Sequence, residues 1–245
     1  MSKETRTLGL CAEEGDMASG AVVSAFRLAW EGFKVWYVQA GGHEYGPWER
    51  RPRHEGGSWW RDNWPPPISR EADIVYRVGL ALAGLSWTDW VRPELRTPVA
   101  EREGKGAPQF DLALVHPANA RRGTPQCRYL RPRVLAEFKF IQYTCDEKER
   151  RRKIQGSADD PGIPGDCCRL QLQKNLSACP LDGFMCVIDD DNAAPCDYEE
   201  RLKDMYPDVD VLTLRRPDGE AAGRKPVRID PGRWPQPGRC SPRDL

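Results

Sequence analysis

Three charged side chains stand in stretches that are otherwise apolar: Asp111 within the run FDLALV, and Glu137 and Lys139 within LAEFKF. Strands apolar at nearly every position are covered on both faces, and an unpaired ion buried there costs several kcal/mol. These charges therefore need partners or a bound ion. Two residues apart, Glu137 and Lys139 share one face of a strand, about 6.6 Å apart along it, with Phe138 turned the other way. If Asp111 lies on the neighbouring strand, two carboxylates and an ammonium converge. Two hard oxygen ligands completed by water suit Mg²⁺, or Mn²⁺ in its place. A lysine beside such an ion can orient or deprotonate a water and offset charge on a phosphorane-like transition state. The competing account is a buried Asp111–Glu137–Lys139 ion network without catalysis.

The elements that must carry these residues follow from periodicity. Asp16 is placed to cap a helix with Val22, Phe26, Ala29, Trp30 and Phe33 at helical spacing, and the β-prone run Lys34 to Gln39 is expected to follow as a strand. Residues 40–68 mix Gly41, Gly42, Gly56, Gly57 and Pro65 to Pro67 with four tryptophans and four arginines, the composition of a long loop. Such interleaving suits either base stacking or simple anchoring of the loop on the core. A helix over 69–85, capped by Ser69, has the stripe Ile74, Val75, Val78, Leu82, with Glu71 on the same side. Three strands are expected at Trp87–Val99, Gln109–His116 and Arg133–Thr144, then a charged loop over 145–164. A helix near Asp166–Ala178 carries Arg169 and Gln173 one turn apart. A strand Phe184–Ile188, a helix Asp197–Met205 and a strand Val209–Leu214 complete the core. The tail, 215–245, is rich in Pro, Gly and Arg and is expected to be extended or partly disordered.

The strand pair bearing Asp111 and Glu137-x-Lys139, 26 residues from the first acid to the second, resembles the PD-(D/E)xK nuclease superfamily. Phe110 stands where that family often has proline. The resemblance covers 69–214 and implies an α/β fold: a restriction-endonuclease-like αβββαβ core, its mixed central sheet flanked by helices. An N-terminal α-β extension with its Trp/Gly/Pro-rich loop (1–68) and the C-terminal tail lie outside it. It further implies a divalent-metal-dependent nuclease acting on nucleic acid, DNA first, with Asp111 and Glu137 as ligands of Mg²⁺ or Mn²⁺ and Lys139 assisting the water. Glu71 would join the metal shell, and Arg169 and Gln173 would support the scissile phosphate or the lysine. A non-catalytic nucleic-acid-binding or assembly module on the same fold is the alternative, since fold alone does not settle function.

Charge and composition narrow the setting. With 37 basic and 37 acidic residues, a uniformly basic coat is excluded. Basic residues instead concentrate between Arg121 and Lys153, 11 against four acids. Within that run Arg121, Arg122, Arg150, Arg151, Arg152 and Lys153 are the expected phosphate contacts. The triplet Asp189 to Asp191 reads as a solvated acidic turn. Nine cysteines without a Cys-x-x-Cys pair, and three scattered histidines, argue against a disulfide framework, a zinc site or an iron–sulfur cluster. The cysteines are therefore expected as reduced thiols. The run from Met17 to Val38 is broken by Arg27, Glu31 and Lys34, so no membrane span is expected. With no secretory pattern at the N-terminus, the expected setting is cytoplasmic, with a homodimer or a larger defence or mobile-element complex open as assemblies.

Overall fold

The computed structural model describes residues 15–40, 70–85, 90–96, 109–115, 132–142, 145–157, 160–177, 180–216 and 225–236. In chain order these form α1 (Gly15–Gln39), α2 (Glu71–Gly84), β1 (Val91–Arg96), β2 (Gln109–Val115), β3 (Pro132–Ile141), α3 (Glu147–Gln155), α4 (Gly162–Leu176), β4 (Asp182–Asp189), α5 (Tyr198–Met205) and β5 (Val209–Arg215). The strands make one mixed, open sheet in the order β1-β2-β3-β4-β5. The first three strands pair antiparallel, and β3–β4 and β4–β5 are parallel. The fold class is therefore α/β, with helices on both faces. Among the described residues no helix is long and apolar enough to cross a membrane.

Alternation along the strands splits the core in two. Leu112, Leu114, Ala136, Phe138, Phe184 and Ile188 face α1 and α2. Ala113, Val115, Leu135, Met185 and Val187 face α3, α4 and α5. This double burial explains why the strands read as unbroken apolar runs.

Several expectations change. The segment Lys34–Gln39 continues α1 rather than forming a strand, because Phe33 and Tyr37 extend the stripe begun by Phe26 and Trp30 and all four are buried. Packing of that stripe, with Trp30 against Phe138 at 6.2 Å between ring centres, outweighs the local β preference of Val35 and Val38, which lie exposed. Since α1 begins at Gly15, Asp16 is inside its first turn and not its cap; Ser69 lies outside the described residues.

The expected charged loop over 145–164 contains α3. Asp146 caps it by accepting from the Glu149 N–H at 2.7 Å, and Ile154 anchors it in the core. The turn from α3 to α4 brings backbones so close that a Cβ at Gly162 (φ 59°) would lie 2.5 Å from the Arg152 carbonyl oxygen. Glycine is required there, and α4 starts four residues before Asp166.

The tail is ordered over 225–236. Val227 and Trp234 are buried, Trp234 meeting the Tyr198 ring edge-on at 5.8 Å. The cysteine expectation is also revised. Cys145, Cys167, Cys186 and Cys196 are free, but Cys168 is disulfide-bonded.

Candidate metal centre

The ladder between β2 and β3 runs from Val115↔Pro132 to Leu112↔Ala136 and then stops. Beyond that point β2 stays paired with β1 and β3 with β4. The two strands part as a fork, which leaves the next inward N–H groups of β3, those of Phe138 and Phe140, without a strand partner. Side chains take them over. Asp111 Oδ2 accepts from the Phe138 N–H at 2.8 Å, and Glu71 Oε1, reaching from the first turn of α2, accepts from the Phe140 N–H at 3.3 Å.

One step past the last pair, the register sets Asp111 opposite Glu137, and their carboxyls hydrogen-bond to each other. Glu137 is 3% exposed. Burial, then the charges of Asp166 and Asp111, push its carboxyl well above the usual range, although Arg169 pulls the other way. Burial likewise raises Asp111, against the stabilising Phe138 N–H. Such a pair holds one proton between its members in preference to two full charges.

Two cations face the acids. Arg169 on α4 donates from Nη2 to Glu137 Oε1 at 2.7 Å and to Asp166 Oδ1. Lys139 Nζ lies 3.0 Å from Asp166 Oδ2. Three carboxyls and two cations thus form a chain, Asp111–Glu137–Arg169–Asp166–Lys139. Fully ionised, it carries one negative charge in excess. Burial lowers the Lys139 ammonium, but Asp166, Glu71 and Glu137 more than offset this and hold it above its ordinary value. Lys139 is therefore a charged donor here, suited to orienting a water or steadying a developing anion and not to accepting its proton.

The donor set fits a hard divalent cation. Asp111 and Glu137 supply two adjacent carboxyls whose shared proton a bound cation would displace, and Mg²⁺ takes one or two carboxylates plus waters in preference to an all-protein cage. Among the described residues no third His, Cys, Asp or Glu joins them in ready coordination geometry. Asp166 is turned to its two cations.

The remaining expected residues divide. Gln173 is buried on α4, one turn beyond Arg169. Lys153 is mostly buried and turned onto β3: its Nζ donates to the Phe140 carbonyl at 2.6 Å and to Glu71 at 3.4 Å. With Glu71 it seals the open edge of β3. Arg150 is 4% exposed, its Nε 2.6 Å from Asp191 and Nη2 donating to the Lys225 carbonyl. Its guanidinium faces inward, away from any phosphate. Arg151 and Arg152 are exposed or half-exposed beside Glu147 and Asp160. A run of four bases on an α-helix is spread around the axis, so α3 presents two of them to solvent and not four. Arg121 and Arg122 lie outside the described residues.

The acidic turn after β4 is not solvated. Asp189 accepts from the Ala193 and Ala194 N–H groups at 2.8 Å each, Asp190 accepts from the Tyr37 hydroxyl, and Asp191 pairs with Arg150. These acids hold the turn together.

Asp166 is the member that sequence reasoning missed. Its signal was present, since a residue three before Arg169 shares its helical face. No family model, curated protein or solved structure matches the chain.

Proposed function

We propose that the chain is a divalent-metal-dependent nuclease of the PD-(D/E)xK kind, hydrolysing phosphodiester bonds in nucleic acid, DNA first. The observation that carries this is the meeting of Asp111 and Glu137 at the β2–β3 fork, with the Lys139 ammonium on the same strand as Glu137. The order helix, three antiparallel strands, two helices, parallel strand around that point supports the restriction-endonuclease-like reading, α3 being an addition between β3 and α4.

Asp111 and Glu137 would hold Mg²⁺ or Mn²⁺, which when bound lowers the pKa of a water and offsets charge on the phosphate. Glu71 and Lys153 keep the end of β3 in place, so that Glu137 and Lys139 project from a fixed backbone. Lys139, held by Asp166, presents N–H donors to the attacking water or to the phosphate oxygen gaining charge. Arg169 fixes the Glu137 carboxylate and balances Asp166. Gln173 completes the polar side of α4. Arg151 and Arg152 border the site as phosphate contacts, and hydrolysis leaves a 5′-phosphate.

The test is incubation of linear and circular DNA and of RNA with Mg²⁺, with Mn²⁺ and with chelator. Cleavage with either ion, abolished by chelator and by Asp111→Ala, is expected. A wild type inactive on every substrate with every ion would move the reading to a non-catalytic binding module.

A further inference from the structure

A cavity of about 500 Å³ opens between α2 and the β1–β2 edge of the sheet, and Asp111 forms part of its wall. That volume lies within the range of small-molecule sites. Its other walls are apolar, chiefly Val75, Leu80, Val91 and Leu112. Two features shape it. Gly79 on α2 lacks the side chain that would fill it, and Tyr76, 64% exposed, leaves its ring free at the lining.

The polar groups of the lining are acidic. Besides Asp111 there is Glu94, which the β1–β2 register places opposite Asp111 between the pairs Pro93↔Leu112 and Leu95↔Phe110. Glu94 adopts φ 51°, a conformation that costs a non-glycine residue energy and accompanies functional sites. Among the described residues no lysine or arginine lines the cavity, and its two acids disfavour an anion there. Asp111 already accepts from the Phe138 N–H, so the exposed Glu94 is the acceptor offered to a ligand, and a flat, neutral ring bearing N–H groups fits the apolar walls, the tyrosine and that carboxylate together.

We infer that this cavity receives one unpaired, amino-bearing nucleobase of the substrate strand, stacked on Tyr76 and donating to Glu94, beside the phosphate engaged at Asp111. The inference rests on the nuclease reading for how the base arrives. It narrows the substrate class to nucleic acid with an unstacked base next to the scissile bond: a single strand, a frayed end or a flipped nucleotide. Blunt, fully paired duplex is the poor substrate.

Two variants test it outside the catalytic residues. Tyr76→Ala removes the platform. Gly79→Leu fills the cavity, and it is tolerated because an added Cβ meets only Val91 Cγ1, at 3.8 Å, and leucine favours a helix over glycine. Cytidine and adenosine, which need neither metal nor phosphate, are the probes, read by saturation-transfer NMR on the full chain. Both nucleosides are expected to bind the wild type. Tyr76→Ala should weaken them by about fivefold to 150-fold, the range of one lost base–aromatic stack, and Gly79→Leu should abolish the signal. In parallel, both variants should lose the wild type's preference for single-stranded over blunt duplex DNA. If the nucleosides bind through Tyr76 while no substrate is cleaved, the cavity assignment holds and the nuclease reading falls. If the wild type cleaves but neither nucleoside binds, or the variants keep the wild-type ratio of single-strand to duplex cleavage, the cavity assignment is wrong and the nuclease reading stands.

Discussion

Asp111→Asn separates a metal site from an ion network, because it changes one charge and little else. The asparagine carbonyl can still accept from the Phe138 N–H, now bonded at 2.8 Å, and its amide can donate to Glu137. Two ionised carboxylates in contact repel by about 4 kcal/mol at about 4 Å and an effective dielectric of about 20. Sharing a proton caps the penalty actually paid, and a relief of about 1–3 kcal/mol remains, one pKa unit being about 1.4 kcal/mol. In a chain of this size each kcal/mol moves Tm by about 2–4 °C, so metal-free Asp111→Asn should melt about 2–12 °C above the wild type. Metal should reverse the order. An ion at about 100 times its Kd adds about 2.7 kcal/mol to the wild type, a rise of about 5–10 °C, whereas the variant should gain almost nothing. The pH dependence has a definite sign. Burial, Asp166 and Asp111 raise the Glu137 carboxyl above its unfolded value. The stability this contributes is full below the ordinary carboxylate pKa and is lost as pH rises through the elevated folded value. Removing the Asp111 charge removes one cause of that elevation, so the loss should shrink in the variant. Thermal melts with chelator and across an Mn²⁺ series, at acid and neutral pH, measure all of this. A variant less stable than the wild type in chelator, yet still raised by Mn²⁺, would show that Asp111 is a structural partner and not a metal ligand.

The basic residues of α3 should fail in different ways. Arg150→Met removes the cation paired with the fully buried Asp191 side chain and should cost about 3–5 kcal/mol in chemical denaturation, the scale for breaking one side of a buried ion pair. An unchanged midpoint would show that Arg150 is not structural. Arg151→Gln with Arg152→Gln should leave the melting temperature nearly unchanged. It should weaken nucleic-acid binding and lower the slope of log affinity against log salt by about 2, close to one per phosphate contact; an unaltered slope would make this side of α3 a solvated surface.

What the sequence disclosed depends on how locally each feature is encoded. The strands were legible because β2 and β3 are apolar on both faces, and the same property exposed Asp111, Glu137 and Lys139 as anomalies. Helix α2 and the core-ward position of Glu71 followed from a clean stripe. The C-terminal part of α1 was not legible: Val35 and Val38 prefer strands, and only packing of Phe33 and Tyr37 against the sheet keeps them helical. Helix α3 was obscured by its charges, since the lone apolar anchor is Ile154 and one of its arginines is itself buried. The fork was beyond sequence altogether. It is a matter of register, and it decides that Lys153 ends on the Phe140 carbonyl instead of on a phosphate.

Folded Lys139→Ala, followed by Mn²⁺ titration calorimetry beside a cleavage assay, separates a catalytic lysine from a structural one. Asp166 keeps Arg169 as a partner, so the variant should fold. It retains Asp111 and Glu137 and loses a neighbouring positive charge. Mn²⁺ should bind at least as tightly as to the wild type while cleavage falls by about 10²-fold or more, the scale of one positioned electrostatic or acid–base group. Retained cleavage, or a sheet that unfolds and no longer binds Mn²⁺, would contradict the account and leave the five charges as a structural network.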